Sequence, residues 1–227
     1  MLRREHLAPG IGFAHGWRSQ QLLKMLAAGI VESNLMLILD AKNHFVRLVG
    51  GESYEASDGR LRTYSGSQRG HLQHMFKNSF EALRLDPEKF IDRTLPNITP
   101  FPARPNTIMS MIAAIEARSG LEFTKFFLQN DVAEFYLLAA FIAGRDGSLE
   151  KEYVFGDMDV VTVFRDKANV GAFQWIDLQL KRESTICFGV HWEALSVLSP
   201  ELKRAISEFW QSRGLVDDVA EGLTFLN

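Results

Sequence analysis

Residues 35–45, LMLILDAKNHF, carry an apolar run straight into Asp40, with Lys42, Asn43 and His44 directly after it. In open α/β sheets, ligands collect beyond the carboxyl ends of the strands. A carboxylate placed there can hold a hard cation, because Mg²⁺ and Mn²⁺ prefer oxygen ligands. Asp40 equally suits a turn in which its side chain accepts from backbone amides two residues on. Local sequence leaves both readings open.

Other candidates carry similar pairs of readings. On a helix through GWRSQQLLKMLAA, Trp17, Gln20, Gln21 and Lys24 share one side. An aromatic, two amides and an ammonium on one stripe could meet a nucleotide base and phosphates; a solvated face opposite the leucines is the plainer account. Glu134 stands three residues after Asp131, the spacing of a capping box with Asp131 as N-cap. It also suits a general base near a cavity. His191 shares a strand face with Cys187 and Gly189, where a metal ligand, a base and a packed core histidine all fit. Asp157-Met158-Asp159 is a D-x-D, but it precedes its apolar run and reads as a strand-entry turn. His71 and His74 have the i, i+3 spacing of a helical metal pair without a third ligand nearby.

The elements that must position these residues follow from periodicity. Helices are predicted over Trp17–Ile30, burying Leu22, Leu23, Leu26 and Ile30, over His71–Leu83, Asn106–Arg118 and Asp131–Ala143, and from Ser199-Pro200 to Gly214. Strands are predicted at Leu35–Leu39, within Phe45–Val49 and Tyr153–Arg165, and at Thr185–Trp192, where Ile186, Phe188, Val190 and Trp192 share one face. Gly50 to Gly70 reads as a long exposed loop. Five of the seven prolines fall within 86–105, an expected irregular connector between 1–85 and 106–227. Strands and helices intermix, so the class is α/β or α+β.

Composition excludes more than it assigns. The 227 residues are 46% hydrophobic and 23% charged, with a net charge of -3, which gives no basic excess for nucleic-acid binding. The longest fully apolar run, Phe135–Ala143, is far short of the roughly 18–20 residues of a membrane span. A single cysteine, Cys187, precludes an internal disulfide and fits a reducing, cytoplasmic compartment. The dinucleotide, phosphate-loop, zincin and nucleophile-elbow motifs do not occur.

Taken in order, GWRSQQLLKMLAA, LMLILDAKNHF, TPFPARP, DVAEFYLLAAFI, CFGVHWEAL and ISEFWQSRGL resemble a family of largely uncharacterised, mostly bacterial proteins with a glycosyltransferase-like GT-A domain. The resemblance runs from about Gly16 to Leu215 and lies in order and spacing rather than in one motif. It implies a GT-A-like, Rossmann-related mixed sheet flanked by helices, with 1–85 on the donor and metal side and 106–227 on the acceptor side. It also implies transfer of a sugar from a nucleotide-sugar donor to a saccharide or other hydroxyl acceptor. Asp40 and His191 would hold Mg²⁺ or Mn²⁺, and Glu134 would deprotonate the acceptor. Trp17, Gln20, Gln21 and Lys24 would flank the donor, with Lys42 and Asn43 beside its diphosphate.

Two departures qualify these expectations. Lys42 stands where the second carboxylate of D-x-D belongs, which suggests metal-independent transfer or an inactive site. Only 39 residues precede Asp40, so the fold is expected to lack its N-terminal βαβ unit. Two alternatives follow. One is a non-catalytic binding module whose exposed sheet edge favours a homo-oligomer. The other is a metal-dependent hydrolase or nucleotidyltransferase built on Asp40, Asp157 and Asp159, which requires those carboxylates to converge.

Overall fold

A computed structural model describes residues 16–168, 174, 176, 178, 181, 182 and 184–227. In chain order the helices are α1 (Gly16–Leu26), α2 (Gln73–Ala82), α3 (Pro105–Ser119), α4 (Phe123–Gln129), α5 (Glu134–Asp146), α6 (Trp192–Leu195), α7 (Pro200–Ser212) and α8 (Val219–Leu226). The strands are β1 (Met36–Ile38), β2 (Asn43–Phe45), β3 (Leu61–Tyr64), β4 (Phe101–Ala103), β5 (Tyr153–Gly156), β6 (Val160–Val163) and β7 (Cys187–Val190). The architecture is mixed α/β. The chain divides into two compact units, Met1–Ile38 with Tyr54–Gly156, and Leu39–Ser53 with Asp157–Asn227.

The first unit packs α1–α5 with two small sheets, antiparallel β1–β4 and parallel β3–β5. Helix α5 is apolar around nearly its whole circumference, which matches a helix enclosed by core. Phe135 on α5 stacks face to face on Phe101 of β4, with ring centroids 3.8 Å apart. The buried Tyr153 hydroxyl donates to the Pro102 carbonyl at 2.9 Å, so burial of that phenol leaves no orphaned donor. Pro105 opens α3 and Gly120, at φ 69°, closes it, the expected proline-first, glycine-last asymmetry.

Several expectations are revised here. The proline-rich stretch 86–105 lies wholly inside the first unit rather than between units. Ile91, Leu95 and Phe101 are buried between its prolines, and these apolar residues tie it to the core. The Gly50–Gly70 loop contains β3, whose alternating Leu61 and Thr63 face inward. The first helix ends at Leu26 and continues as one 3₁₀ turn, so Ile30 is exposed instead of buried. Tyr153–Arg165 supplies two strands, β5 in the first unit and β6 in the second.

The second unit is built on one three-stranded sheet, order β2-β7-β6. β7 runs antiparallel to β2 (Asn43 opposite Gly189) and parallel to β6 (Val163 opposite Val190). Phe188, Val190, Val161 and Val163 join Leu202, Ile206 and Trp210 of α7 and Leu226 of α8 in its core. Ser199 caps α7 through its hydroxyl, which accepts from the Leu202 amide at 3.2 Å. Gly222 lets α8 lie close against α7, since a Cβ there would fall 2.0 Å from Ser207 Oγ. Among the described residues no single helix is long and apolar enough to cross a membrane.

Candidate functional site

The predicted site residues are distributed over both units. Trp17, Gln20, Gln21, Lys24 and Glu134 lie in the first; Asp40, Lys42, Asn43 and His191 lie in the second.

In the second unit, Asp40, Lys42 and Asn43 form one closed turn ahead of β2. The Asn43 amide donates to the Asp40 carbonyl at 2.9 Å, and the Asp40 amide donates to Asn43 Oδ1 at 2.9 Å. This reciprocal pair gives the backbone a local alternative to the strand ladder. Lys42 Nζ forms an ion pair and hydrogen bond with Asp40 Oδ2. Gly189 makes room for the turn: a Cβ there would lie 2.8 Å from the Lys42 carbonyl oxygen.

The strand register places this turn at the end of the sheet where β6 and β7 finish. Two aromatic residues not proposed from the sequence as site residues emerge at that end: Phe164 after β6, and Trp192, which was expected on the strand face with Val190 but lies beyond β7 at the start of α6. The His191 ring lies between them, 5.5 Å from Phe164 and 5.9 Å from Trp192, centroid to centroid. Trp192 is 71% exposed and Phe164 38%. His191 caps α6, its Nδ1 accepting from the Glu193 amide at 3.4 Å. The signal for this platform was an aromatic just beyond each strand, Phe164 one residue after β6 and Trp192 two residues after β7.

Asp159 lies at the opposite end of the same sheet, just before β6. Burial pushes its carboxyl up to about 6. A hydrolase centre needing Asp40 and Asp159 to converge is thereby excluded. Cys187 is buried, and burial pushes its thiol up to about 12, which leaves it unreactive.

A divalent cation fits the Asp40 turn poorly. Asp40 already engages an ammonium, Lys42 adds positive charge, and His191 Nδ1 is committed to a backbone amide. Among the described residues, no three His, Cys, Asp or Glu side chains gather into a metal-binding group.

In the first unit, the expected stripe on α1 splits. Trp17 and Gln20 are exposed, whereas Gln21 is 1% exposed, and both its amide atoms lack a hydrogen-bond partner among the described residues. Lys24 reaches inward, its Nζ 3.6 Å from Glu134 Oε1 and 5.7 Å from the Phe135 ring centroid. Glu134, buried, is the first residue of α5; the N-cap is Ala133 and supplies no side-chain cap. The expected capping box is absent because Asp131 faces His74 at 3.1 Å and Arg18 at 3.6 Å instead. His74 thus has a carboxylate partner.

Together the elements define a mixed α/β protein with a charged turn and an aromatic platform at one sheet end of its second unit. Residues 5–170 match a family of unknown function (DUF6492), and the chain belongs to that family. No curated protein matches the sequence.

Proposed function

We propose that the chain is a glycosyltransferase that moves a sugar from a nucleotide sugar to an acceptor hydroxyl, with the donor held at the Asp40–Lys42 end of the second unit's sheet. The observation that carries this reading is the Lys42 ammonium, fixed by Asp40, at the same sheet end as the exposed Phe164 and Trp192 rings that flank His191. A phosphate-activated sugar presents an anionic leaving group and an apolar ring face. A fixed cation serves the first, since preorganised charge stabilises negative charge as it develops. Aromatic faces serve the second.

In the proposed transfer, the acceptor oxygen bonds to the anomeric carbon as the bond from that carbon to the phosphate oxygen breaks. The electron pair leaves with the nucleoside diphosphate, whose charge Lys42 offsets. The acceptor's proton passes to a carboxylate. A Mg²⁺ or Mn²⁺ ion is not required by this reading.

A second reading, a non-catalytic binding module, is favoured by one specific observation: Asp40 and Glu134 each already face an ammonium.

Calorimetric titration with UDP-, GDP- and CMP-sugars, with Mn²⁺ and with EDTA, tests the proposal. Heat from one donor that persists in EDTA and weakens at least about tenfold in Lys42→Ala is expected. No heat from any donor overturns it, and binding without turnover in any acceptor mixture selects the second reading.

A further inference from the structure

A groove of about 350 Å³ opens on the sheet face of the second unit that carries His44 and Val190. This is within the usual range for a small-molecule site, about 300–1,000 Å³. Its walls come from separate segments: the Asp40 turn, the end of α6, α7, and the tail from Leu215 to α8. Leu195, Trp210, Leu215, Val216, Phe225 and Leu226 make it apolar. Among the described residues lining it, Lys42 is the one that carries a charge, and Asp40 is not among them.

The other polar lining group, His44, carries no charge. Its Nε2 accepts the Trp210 indole N–H at 2.8 Å, which places the ring proton on Nδ1. Burial holds its pKa down at about 4. The groove therefore has aliphatic and aromatic walls, a neutral imidazole and, at one end, Lys42, whose ammonium is paired with Asp40. Asp40 takes one of the three ammonium protons and fixes the side chain.

Ligand polarity follows from these walls. A nucleobase would bury several donors and acceptors against surfaces that cannot answer them, and unanswered buried polar groups are costly. An aliphatic chain incurs no such cost. Phe225 is 63% exposed at the rim, so a chain would cover apolar surface that water now touches.

We propose that this groove binds the chain of a single-chain amphiphile whose anionic head meets Lys42. The head chemistry is shared by a fatty-acid carboxylate and an alkyl or prenyl phosphate. The inference goes beyond the sugar-transfer reading, and because both ligands use Lys42 they compete.

Calorimetry on the full chain tests it with decanoate, octanoate, decyl phosphate, decanol and uridine. Decanoate or decyl phosphate should bind one per chain, and whichever is tighter identifies the head. Removing two methylenes, from decanoate to octanoate, should weaken binding about tenfold. Decanol, and decanoate on Lys42→Gln, should each be at least about tenfold weaker than decanoate on the unaltered chain. Val216→Trp, which fills the groove, should abolish binding. Equal affinity for octanoate and decanoate, indifference to Lys42→Gln, or uridine alone giving heat would each overturn the proposal. If Val216→Trp does not fold, the chain-length and head-group series on the unaltered protein decides. Nucleotide-sugar binding is measured separately, so loss of this proposal leaves the transferase reading standing.

Discussion

His44 accepts the indole N–H of Trp210 at 2.8 Å, joining β2 to α7 through a half-buried imidazole that stays neutral. The same unit holds the half-buried Asp159, and the two groups set opposite pH dependences. The folded pKa of His44, about 4, lies below its ordinary 6.5, so the unfolded chain binds its proton more readily. Its contribution is complete above pH 6.5 and is lost as pH falls from there towards 4; the full span is about 3 kcal/mol. Asp159 has its pKa raised from 3.8 to about 6, so the folded state binds its proton more readily. Stability from that group is present below pH 3.8 and is lost as pH rises through 6. The two offset one another between roughly pH 4 and 6.5. Asp159→Asn should therefore raise stability at pH 7 by about 2 kcal/mol and expose a steep acid loss in urea unfolding series. An unchanged pH profile would contradict this assignment.

Gly189→Ala probes the seat of the Asp40 turn. The added methyl would meet the Lys42 carbonyl at 2.8 Å, and a backbone oxygen cannot swing aside as a flexible side chain can. A loss of about 1–3 kcal/mol is expected, the range for overpacking. Thermal unfolding measures it, and calorimetry should show donor heat weakened in the same variant.

The Lys24–Glu134 pair is nearly buried, so removing one partner takes away the opposite charge that the other faces at 3.6 Å. Glu134→Gln should cost about 3 kcal/mol, and Glu134→Gln with Lys24→Met should recover much of that loss. Gln21→Leu, which deletes a buried amide with no partner among the described residues, should stabilise the fold by about 1–3 kcal/mol. Urea unfolding of the four proteins measures both effects. A loss of turnover in the more stable Gln21→Leu protein would mark that amide as substrate-facing.

What could be read ahead of the structure was local. Pro105 and Gly120 punctuate α3, Ser199-Pro200 opens α7, and alternation across Cys187–Val190 shows β7. Strand β3 was hidden because its partner β5 lies some 90 residues on, and a parallel pairing leaves no short-range signature. Asp40 was legible as a candidate, and the turn alternative describes its backbone. That the candidate residues belong to separate units was not legible, because the chain passes from one unit to the other after Ile38 without any local break in pattern. The groove was hidden for a similar reason: its walls come from residues 41–44, 190–195 and 210–226, which no fixed spacing connects.

Trp192 separates a binding role from a structural one. At 71% exposure its side chain contributes little to packing, so Trp192→Ala should change stability by no more than about 0.5 kcal/mol. The ring nevertheless flanks His191 at the end of the sheet that carries Lys42. If that platform receives a sugar ring, Trp192→Ala should weaken the donor about tenfold while leaving free nucleoside diphosphate nearly unaffected. Lys42→Ala should weaken both, because the diphosphate is common to them. Paired titrations of a nucleotide sugar and its nucleoside diphosphate on the two variants resolve the roles: equal losses for both ligands on Trp192→Ala would place the ring against the nucleotide and remove the sugar platform from the proposal.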